Sequence, residues 1–241
     1  MSQLKLSMEA QNPSGLFESL LSIGQNLPGK LGYICYRKLK RRYRYRNAQA
    51  WQLLVDDLGP GDLCIDLGAN LGVVTLQLAG TGADIIAFEP DPDTFAMLET
   101  NVGIGANVTL VQKAAGHRYD HLPLKRSKRL HEDFDRFSEA SSLVRQDAAM
   151  DLENTVEVEV VDFPKFLAGL NRDVRLIKMD IEGAEWDLLQ ALLDHPVLGR
   201  IDCIFVETHE WMNPAKYMPL AAQLQKRAED MERPYLNLFW H

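Results

Sequence analysis

Short apolar runs alternate with helical patterns along most of this chain, and that alternation restricts its fold more than any other feature. Parallel strands need long crossover connections, whereas antiparallel strands can be joined by tight turns. The pattern therefore predicts an α/β fold with a Rossmann-like doubly wound, mostly parallel sheet of six or seven strands. The strand-like runs are 63–67, 84–88, 107–111, 155–161, 174–179, 202–206 and 235–240.

A helical segment with an excess of basic residues precedes the first strand. Leucine and isoleucine recur at three- and four-residue steps over 16–27, Pro28-Gly29 interrupts the pattern, and a turn at 59–61 ends the segment. We therefore expect two parts, a helical basic N-terminal appendage over 1–58 and an α/β domain over 59–241.

Charge is distributed unevenly along the chain. Residues 1–46 hold nine lysines and arginines against two glutamates, a net charge of +7, and the rest of the chain carries −15. Seven of the basic residues lie within 37–46, interleaved with tyrosines. Such a run usually forms a solvated helix face, which is the preferred interpretation here. Binding of a nucleic acid or an anionic membrane surface through 36–46 is the alternative.

The sequence contains no predicted membrane span and no pattern typical of a secretory signal. No apolar run approaches the length of a bilayer, and the first residues lack the charged-then-apolar layout of an export signal. The three cysteines, Cys35, Cys64 and Cys203, are odd in number and widely spaced. We therefore expect free thiols in a reducing compartment, without a disulfide framework or a zinc site, and a cytoplasmic location.

The segment CIDLGANLG (64–72) carries the most chemical information. A buried strand leads into Gly68, where a missing side chain allows a sharp turn, and Gly72 opens the next helix. Asp66 lies at the carboxyl end of the strand, where an acid suits a ligand that carries an ammonium group. A dinucleotide pyrophosphate would be repelled there, and the third glycine of the dinucleotide fingerprint is missing. The segment thus favours S-adenosylmethionine over the cofactor of a nicotinamide-dependent oxidoreductase.

A second acidic residue supports an adenosine ligand. Glu89 follows the second strand, seventeen residues after Gly72, where a carboxylate can accept both ribose hydroxyls. The alternative is that Asp66 and Glu89 only cap their following helices. Their combined spacing and strand-turn-helix context favour cofactor binding.

These motifs resemble those of the FkbM-type methyltransferases, a branch of the class I S-adenosylmethionine-dependent enzymes. The resemblance implies S-adenosylmethionine as cofactor, S-adenosylhomocysteine as product, and O-methylation of a sugar or natural-product hydroxyl. The run KMDIEGAE is the most specific of the matching stretches. In chain order these are PGDLCIDLGANLGVVTLQLA, AFEPDPDTFAMLETN, VTLVQKAAG, SSL, IKMDIEGAEWDLLQAL and FVETHE, within 60–210.

The resemblance also implies a set of cofactor-binding residues and two departures. The family tends to end in a two-stranded hairpin, but only YLNLFW follows the last helix here, so six strands or a displaced edge are expected. The appendage has no fixed counterpart in the family, so no role carries over to it. The implied cofactor-binding residues are Asp66, Gly68, Ala69, Asn70, Gly72, Glu89, Pro90, Lys113, Ala114 and Asp180.

Catalytic candidates follow from the rule that ligands lie outside the carboxyl ends of parallel strands. A hydroxyl acceptor needs a base, and Asp180 and His209 are the leading candidates, with Glu207 orienting one of them. Helix capping by Asp180, Glu182 or Glu185 and an ordinary loop role for His209 are the alternatives. A divalent metal on Asp180, Glu207 and His209 is less favoured, so no metal site is assigned.

The sequence alone is compatible with several classes of methyl acceptor. Residues 116–152 form a long irregular insertion that is expected to overhang the acceptor site with Ser141-Ser142. We expect a small-molecule or glycan acceptor. N-methylation, an anionic acceptor such as a nucleic acid or a phosphorylated glycan, a non-catalytic binding protein on the same fold, and a homodimer are the alternatives.

Overall fold

Nine strands and eight α-helices make up the described part of a computed structural model, which covers residues 11–103, 105–231 and 233–240. The strands are β1 (Leu63–Leu67), β2 (Asp84–Phe88), β3 (Val108–Val111), β4 (Ala114–Gly116), β5 (Asp120–Leu124), β6 (Val156–Asp162), β7 (Val174–Met179), β8 (Ile201–Val206) and β9 (Tyr235–Asn237). The helices are α1 (Leu16–Gly24), α2 (Gly29–Asp57), α3 (Val73–Ala79), α4 (Pro92–Val102), α5 (Phe134–Phe137), α6 (Phe163–Gly169), α7 (Glu185–Leu193) and α8 (Pro214–Glu229).

The main sheet has six parallel strands in the order β3-β2-β1-β7-β8-β9. The predicted α/β doubly wound fold is therefore confirmed, with six strands. The strand order reverses between β1 and β7, which is where ligands bind in open sheets of this kind. The last described strand ends at Asn237, earlier than predicted, and pairs parallel with β8 at the edge of the sheet, so the described residues form no terminal hairpin.

Apolar side chains cover both faces of this sheet because its strands are buried on both sides. Alternate residues of β1 point to opposite faces. Leu63, Ile65 and Leu67 join the larger core cluster with α6, α7 and α8, whereas Cys64 joins a cluster with α2 and α3. Cys64 and Cys203 are buried free thiols within these clusters.

A second, three-stranded sheet in the order β4-β6-β5 lies in the crossover between β3 and β7. The strand predicted over 155–161 belongs to this sheet, with Val158 and Val160 buried. The prediction that 116–152 is irregular throughout is wrong for β5, which pairs antiparallel with β6. Pro123 masks the strand in the sequence, but an edge strand tolerates proline.

Both predicted helices of the N-terminal segment are present, and α2 packs into the core of the α/β fold. Tyr36 and Tyr43 are buried against Phe239. The Asn47 side chain donates to the carbonyl of Phe239 at 3.0 Å, and its oxygen accepts from Asn237 at 2.9 Å. In the described part of the chain, no helix combines the length and the apolarity that crossing a bilayer requires.

Candidate functional site

A cavity of about 350 Å³ opens at the carboxyl ends of the central strands, where β1 and β7 lie side by side. Its polar lining comes from the loops that follow β1, β2, β7 and β8, and part of its wall comes from the small sheet and the insertion. The residues that line the cavity include Gly68, Ala69, Asn70, Glu89, Pro90, Lys113, Ala114, Ser138, Ser141, Lys178, Asp180, Glu182 and Glu207. Of the residues predicted from the sequence, Asp66, Gly72 and His209 are not in this lining.

Asp66 lies behind the cavity wall and is fully buried. Its Oδ1 lies 3.1 Å from Nζ of Lys178, and its Oδ2 accepts a hydrogen bond from Thr75 at 2.7 Å. The predicted direct contact of Asp66 with a ligand ammonium is therefore not supported, because the protein's own ammonium group occupies its partner position. Lys178, a residue that sequence reasoning did not assign, lines the cavity instead.

Lys178 contacts the backbone at the end of β1 in addition to the Asp66 side chain. Its Nζ donates to the carbonyl oxygen of Gly68 at 2.6 Å. Burial alone would lower the pKa of this amine, but the carboxylates of Asp66 and Asp180 raise it above its usual value. The Lys178 amine is therefore protonated, and carboxylates of the protein itself balance its positive charge.

The two glycines of the CIDLGANLG segment serve protein packing. Gly68 has a φ of +76°, and a Cβ there would lie 1.8 Å from the carbonyl oxygen of Asp180. Gly72 has a φ of +91°, and a Cβ there would lie 2.8 Å from the Leu98 side chain and 2.9 Å from the Val102 side chain, both on α4. Both positions need glycine because neighbouring protein atoms fill the space that a side chain would take.

Glu89 is held rigidly at the cavity wall by backbone donors. Its Oε2 accepts from the N–H of Asn70 at 3.0 Å and its Oε1 from the N–H of Asp91 at 2.9 Å. Burial raises the pKa of Glu89 to about 7, although these two hydrogen bonds oppose the shift. Each carboxylate oxygen has a second lone pair, so both can accept a further hydrogen bond from a ligand.

Asp180 follows β7 and presents a carboxylate to the same cavity. Its side chain keeps 28% of its surface exposed, and its Oδ1 has no hydrogen-bond partner among the described residues. Burial within the enclosed site raises the pKa of Asp180 to about 7, while Lys178, 3.9 Å from Oδ2, opposes the rise. A carboxylate that lines the cavity and has this pKa is suited to take up a proton.

His209 is surrounded by carboxylates and lies behind the cavity wall. Its Nδ1 lies 3.2 Å from Oε1 of Glu185, and its Nε2 lies 3.4 Å from Glu182 and 3.8 Å from Asp180. Burial alone would lower the pKa of the imidazole, but these acidic neighbours raise it to about 11. The prediction of His209 as a general base is not supported, because a protonated imidazole has no lone pair to accept a proton.

Comparison with known proteins identifies the family. A family model described as the methyltransferase FkbM domain matches residues 66–229. The chain belongs to this family. It is 22% identical over 184 residues to the hexuronic acid methyltransferase AglP of Haloferax volcanii, a match that covers 74% of this chain and 69% of that protein.

Other similarities to this FkbM methyltransferase are shorter or weaker. Ribosomal RNA small subunit methyltransferase A of Moorella thermoacetica matches over 55 residues at 40% identity, which is 23% of this chain and 19% of that protein. The solved precorrin 8w decarboxylase of Methanobacterium thermoautotrophicum is 17% identical, with a TM-score of 0.40 over 73% of this chain and 70% of its own. An rRNA methylase of Streptococcus thermophilus is 14% identical, with a TM-score of 0.35 over 71% of this chain and 74% of its own.

The FkbM methyltransferase brings together three groups that could ligate a cation, but they differ from the predicted trio. Ligand atoms of Asp180, Glu182 and His209 lie within 4.8 Å of one another, so Glu182 stands in the place predicted for Glu207. Metal ligation through His209 requires a deprotonated ring nitrogen. The acidic surroundings of His209 oppose its deprotonation.

The insertion of this FkbM methyltransferase reaches over the cavity, as predicted. Ser138 and Ser141 line it, and Oγ of Ser138 donates to Oδ1 of Asn70 at 2.9 Å. Ser142 anchors the same segment, since its Oγ donates to the carbonyl of Glu182 at 2.6 Å. The insertion is thus fixed to the loops after both β1 and β7.

Proposed function

We propose that this FkbM methyltransferase takes its methyl group from S-adenosylmethionine and transfers it to a hydroxyl of a sugar or natural product, with Asp180 as the general base. One observation carries the proposal: Glu89 and Asp180 line the same cavity. Glu89 is an acceptor suited to ribose hydroxyls, and Asp180 is an acceptor suited to a proton. The hexuronic acid methyltransferase of Haloferax volcanii supports a sugar acceptor.

The charges in the cavity suit a cationic cofactor. Among the described residues, five acidic side chains and two lysines line the cavity: Glu89, Glu139, Asp180, Glu182 and Glu207, with Lys113 and Lys178. Asp66 offsets the positive charge of Lys178 from behind the wall. When bound, S-adenosylmethionine supplies an electrophilic methyl group on a positively charged sulfur. The excess of acid over base in the cavity supports binding of such a cation.

The catalytic task of the chain is to remove a proton from the acceptor hydroxyl. Asp180 is the proton acceptor, because its carboxylate lines the cavity and its side chain is 28% exposed; Oδ1 is the buried oxygen of this carboxylate. The His209 cation, 3.8 Å from this oxygen, stabilises the ionised form of Asp180. His209 is therefore a positioning residue. Glu207 directly follows β8 and lines the same cavity, so it stays the candidate for orienting the Asp180 carboxylate.

Calorimetric titration with S-adenosylhomocysteine tests the cofactor. We expect saturable binding to the wild-type protein and to Glu99→Ala, whose substituted residue is exposed on α4, but much weaker binding to Glu89→Ala. Binding of NAD without any response to S-adenosylhomocysteine would contradict the proposal.

Mass spectrometry of extract components incubated with the protein and S-adenosylmethionine tests the acceptor. A product heavier by one methylene, about 14 daltons, on a hydroxyl of a saccharide or natural product supports the proposal. A methylated nitrogen or a methylated nucleic acid would assign the chemistry to one of the alternatives. A cofactor-binding protein that methylates nothing would favour a non-catalytic role.

A further inference from the structure

The outer face of the α1–α2 hairpin is apolar and open to water. Six aliphatic side chains of the hairpin, three on α1, one in the connecting turn and two at the start of α2, are each between 46% and 79% exposed. We call this set the apolar row: Leu16, Leu20, Ile23, Leu27, Leu31 and Ile34. Six exposed aliphatic side chains within one short hairpin point to an interaction surface.

The apolar row faces outward because the opposite face of α1 already contacts α2. Glu18, on that inner face, is buried and forms ion pairs with Arg46 at 2.8 Å and Arg42 at 3.4 Å. Gly24, at the other end of α1, lies against Cys35 of α2. The two helices therefore run antiparallel, and α1 cannot turn its apolar side inward without breaking the ion pairs that the buried Glu18 carboxylate forms with Arg42 and Arg46.

Exposed cations border the apolar row. Five basic residues of the hairpin are exposed and form no ion pair within the described part of the chain: Lys30, Arg37, Lys38, Arg41 and Arg44. Lys38 and Arg41 continue the helical spacing of Leu31 and Ile34, so they lie on the same side of α2. Glu18 is the one acidic residue in 11–46, and it is already paired.

We propose that the α1–α2 hairpin binds the surface of an anionic lipid bilayer. The apolar row would enter the boundary between headgroups and acyl chains, and the exposed cations would contact lipid phosphates. Residues 47–241 have a net charge of −15 and are repelled by such a surface, so the basic part of the hairpin is the part that approaches it.

The same charges disfavour two other partners. A second copy of the chain that docked through this face would bring five unpaired cations against five more. A nucleic acid would satisfy the cations but would leave six aliphatic side chains in water. An anionic bilayer satisfies both features of the face.

The hairpin is also fixed to the catalytic domain, so binding would orient the whole molecule. Nζ of Lys40 donates to the carbonyl of Thr208 at 2.9 Å and lies 3.4 Å from Glu210, and the Tyr36 hydroxyl lies 3.2 Å from Oγ1 of Thr208. Thr208 stands in the loop between Glu207 and His209.

Flotation of the full chain with lipid vesicles tests the proposal. We expect it to float with vesicles of equal parts phosphatidylglycerol and phosphatidylcholine, and at least about tenfold less with phosphatidylcholine alone or in high salt. Leu20→Asp/Ile23→Asp and Lys38→Glu/Arg41→Glu should each lose most of the binding. Leu152→Asp changes an exposed leucine outside the hairpin and should float as the wild type does.

Thermal unfolding and titration with S-adenosylhomocysteine identify variants that fail to fold or lose the cofactor site, so this test is separate from that of the proposed function. Wild-type protein that stays unbound with the anionic vesicles overturns the proposal. So does a dimer in light scattering that Leu20→Asp/Ile23→Asp dissociates without changing flotation, which assigns the face to a second copy. RNA binding that depends on Lys38 and Arg41 but not on the apolar row, without vesicle binding, assigns it to nucleic acid.

Discussion

Nδ1 of His209 lies 3.2 Å from Oε1 of Glu185, and the same oxygen accepts the backbone N–H of His209 at 2.8 Å. The second oxygen of this fully buried carboxylate accepts the N–H of Gly183 at 2.7 Å. Glu185 therefore ties the start of α7 to the loop after β8. It also supplies part of the negative charge that keeps the His209 imidazole protonated.

Replacement of Glu185 by glutamine should destabilise the protein by about 3 kcal/mol at neutral pH, because a buried imidazolium loses a carboxylate partner. The pKa of His209 is near 11 in the folded protein and near 6.5 when unperturbed. The stability that protonated His209 contributes is thus fully present below pH 6.5 and is lost as the pH rises towards 11. The difference between wild type and variant should shrink over that range. Urea unfolding across this range tests this, with the exposed Glu153→Gln as control; a constant difference would contradict it.

Asp180→Asn should lower kcat by about 10²- to 10⁴-fold, the usual effect of losing a general base. Affinity for S-adenosylhomocysteine should change little. The wild-type kcat should rise with pH through about 7, since the pKa of Asp180 is raised to that value and the base acts when ionised. Steady-state methyl transfer and calorimetry separate the two effects. The exposed Asp187→Asn is the matched control, and normal turnover by Asp180→Asn would exclude it as the base.

Glu89→Gln should weaken binding of S-adenosylhomocysteine by about ten- to a hundredfold, because hydrogen bonds to a charged acceptor become hydrogen bonds to a neutral amide. The affinity of the wild-type protein should increase as the pH rises through about 7, where Glu89 ionises. The variant should show a flatter pH dependence. Titrations at pH 6 and pH 8 measure this, and equal affinities for the two proteins would remove Glu89 from the cofactor site.

The Asp66–Lys178 pair can be tested by a double-mutant cycle. Asp66→Asn should cost about 3–5 kcal/mol of stability, since it leaves the buried Lys178 amine without its main counter-charge. Adding Lys178→Met should recover much of this loss, because the uncompensated charge is then gone. Urea unfolding of the single and double variants provides the measurement. Strictly additive losses would mean that the two side chains do not interact.

Gly68→Ala should unfold the site or cost at least about 3 kcal/mol, the range of substitutions that force strained backbone. The added Cβ would meet the carbonyl of Asp180 at 1.8 Å. Gly59→Ala is the matched control, because nothing lies within 4 Å of a Cβ at that position. Similar thermal stability of the two variants would contradict the close approach of β1 and β7.

The main sheet could be predicted from the sequence because buried parallel strands are continuous apolar runs, and β1 and β2 have the predicted bounds. Glu89 and Asp180 could be predicted as cavity residues because each follows such a strand. Asp66 lies near the end of β1, but its partner Lys178 comes from a distant strand, so only the tertiary structure shows that the carboxylate is already paired. The protonated state of His209 is hidden in the sequence for the same reason, since the acidic residues around it converge from separate loops.

The two ends of the insertion after β5 are paired with each other, which bears on how the family can diversify. The segment begins and ends with paired positions, Lys125 bridged to Ser142 and Ser127 to Met150, so its two ends close on each other beside the small sheet. A loop closed at its own base can change length and composition while the parallel sheet keeps its register. Exchange of this cassette between relatives would give a direct route to altered acceptor choice on an unchanged scaffold.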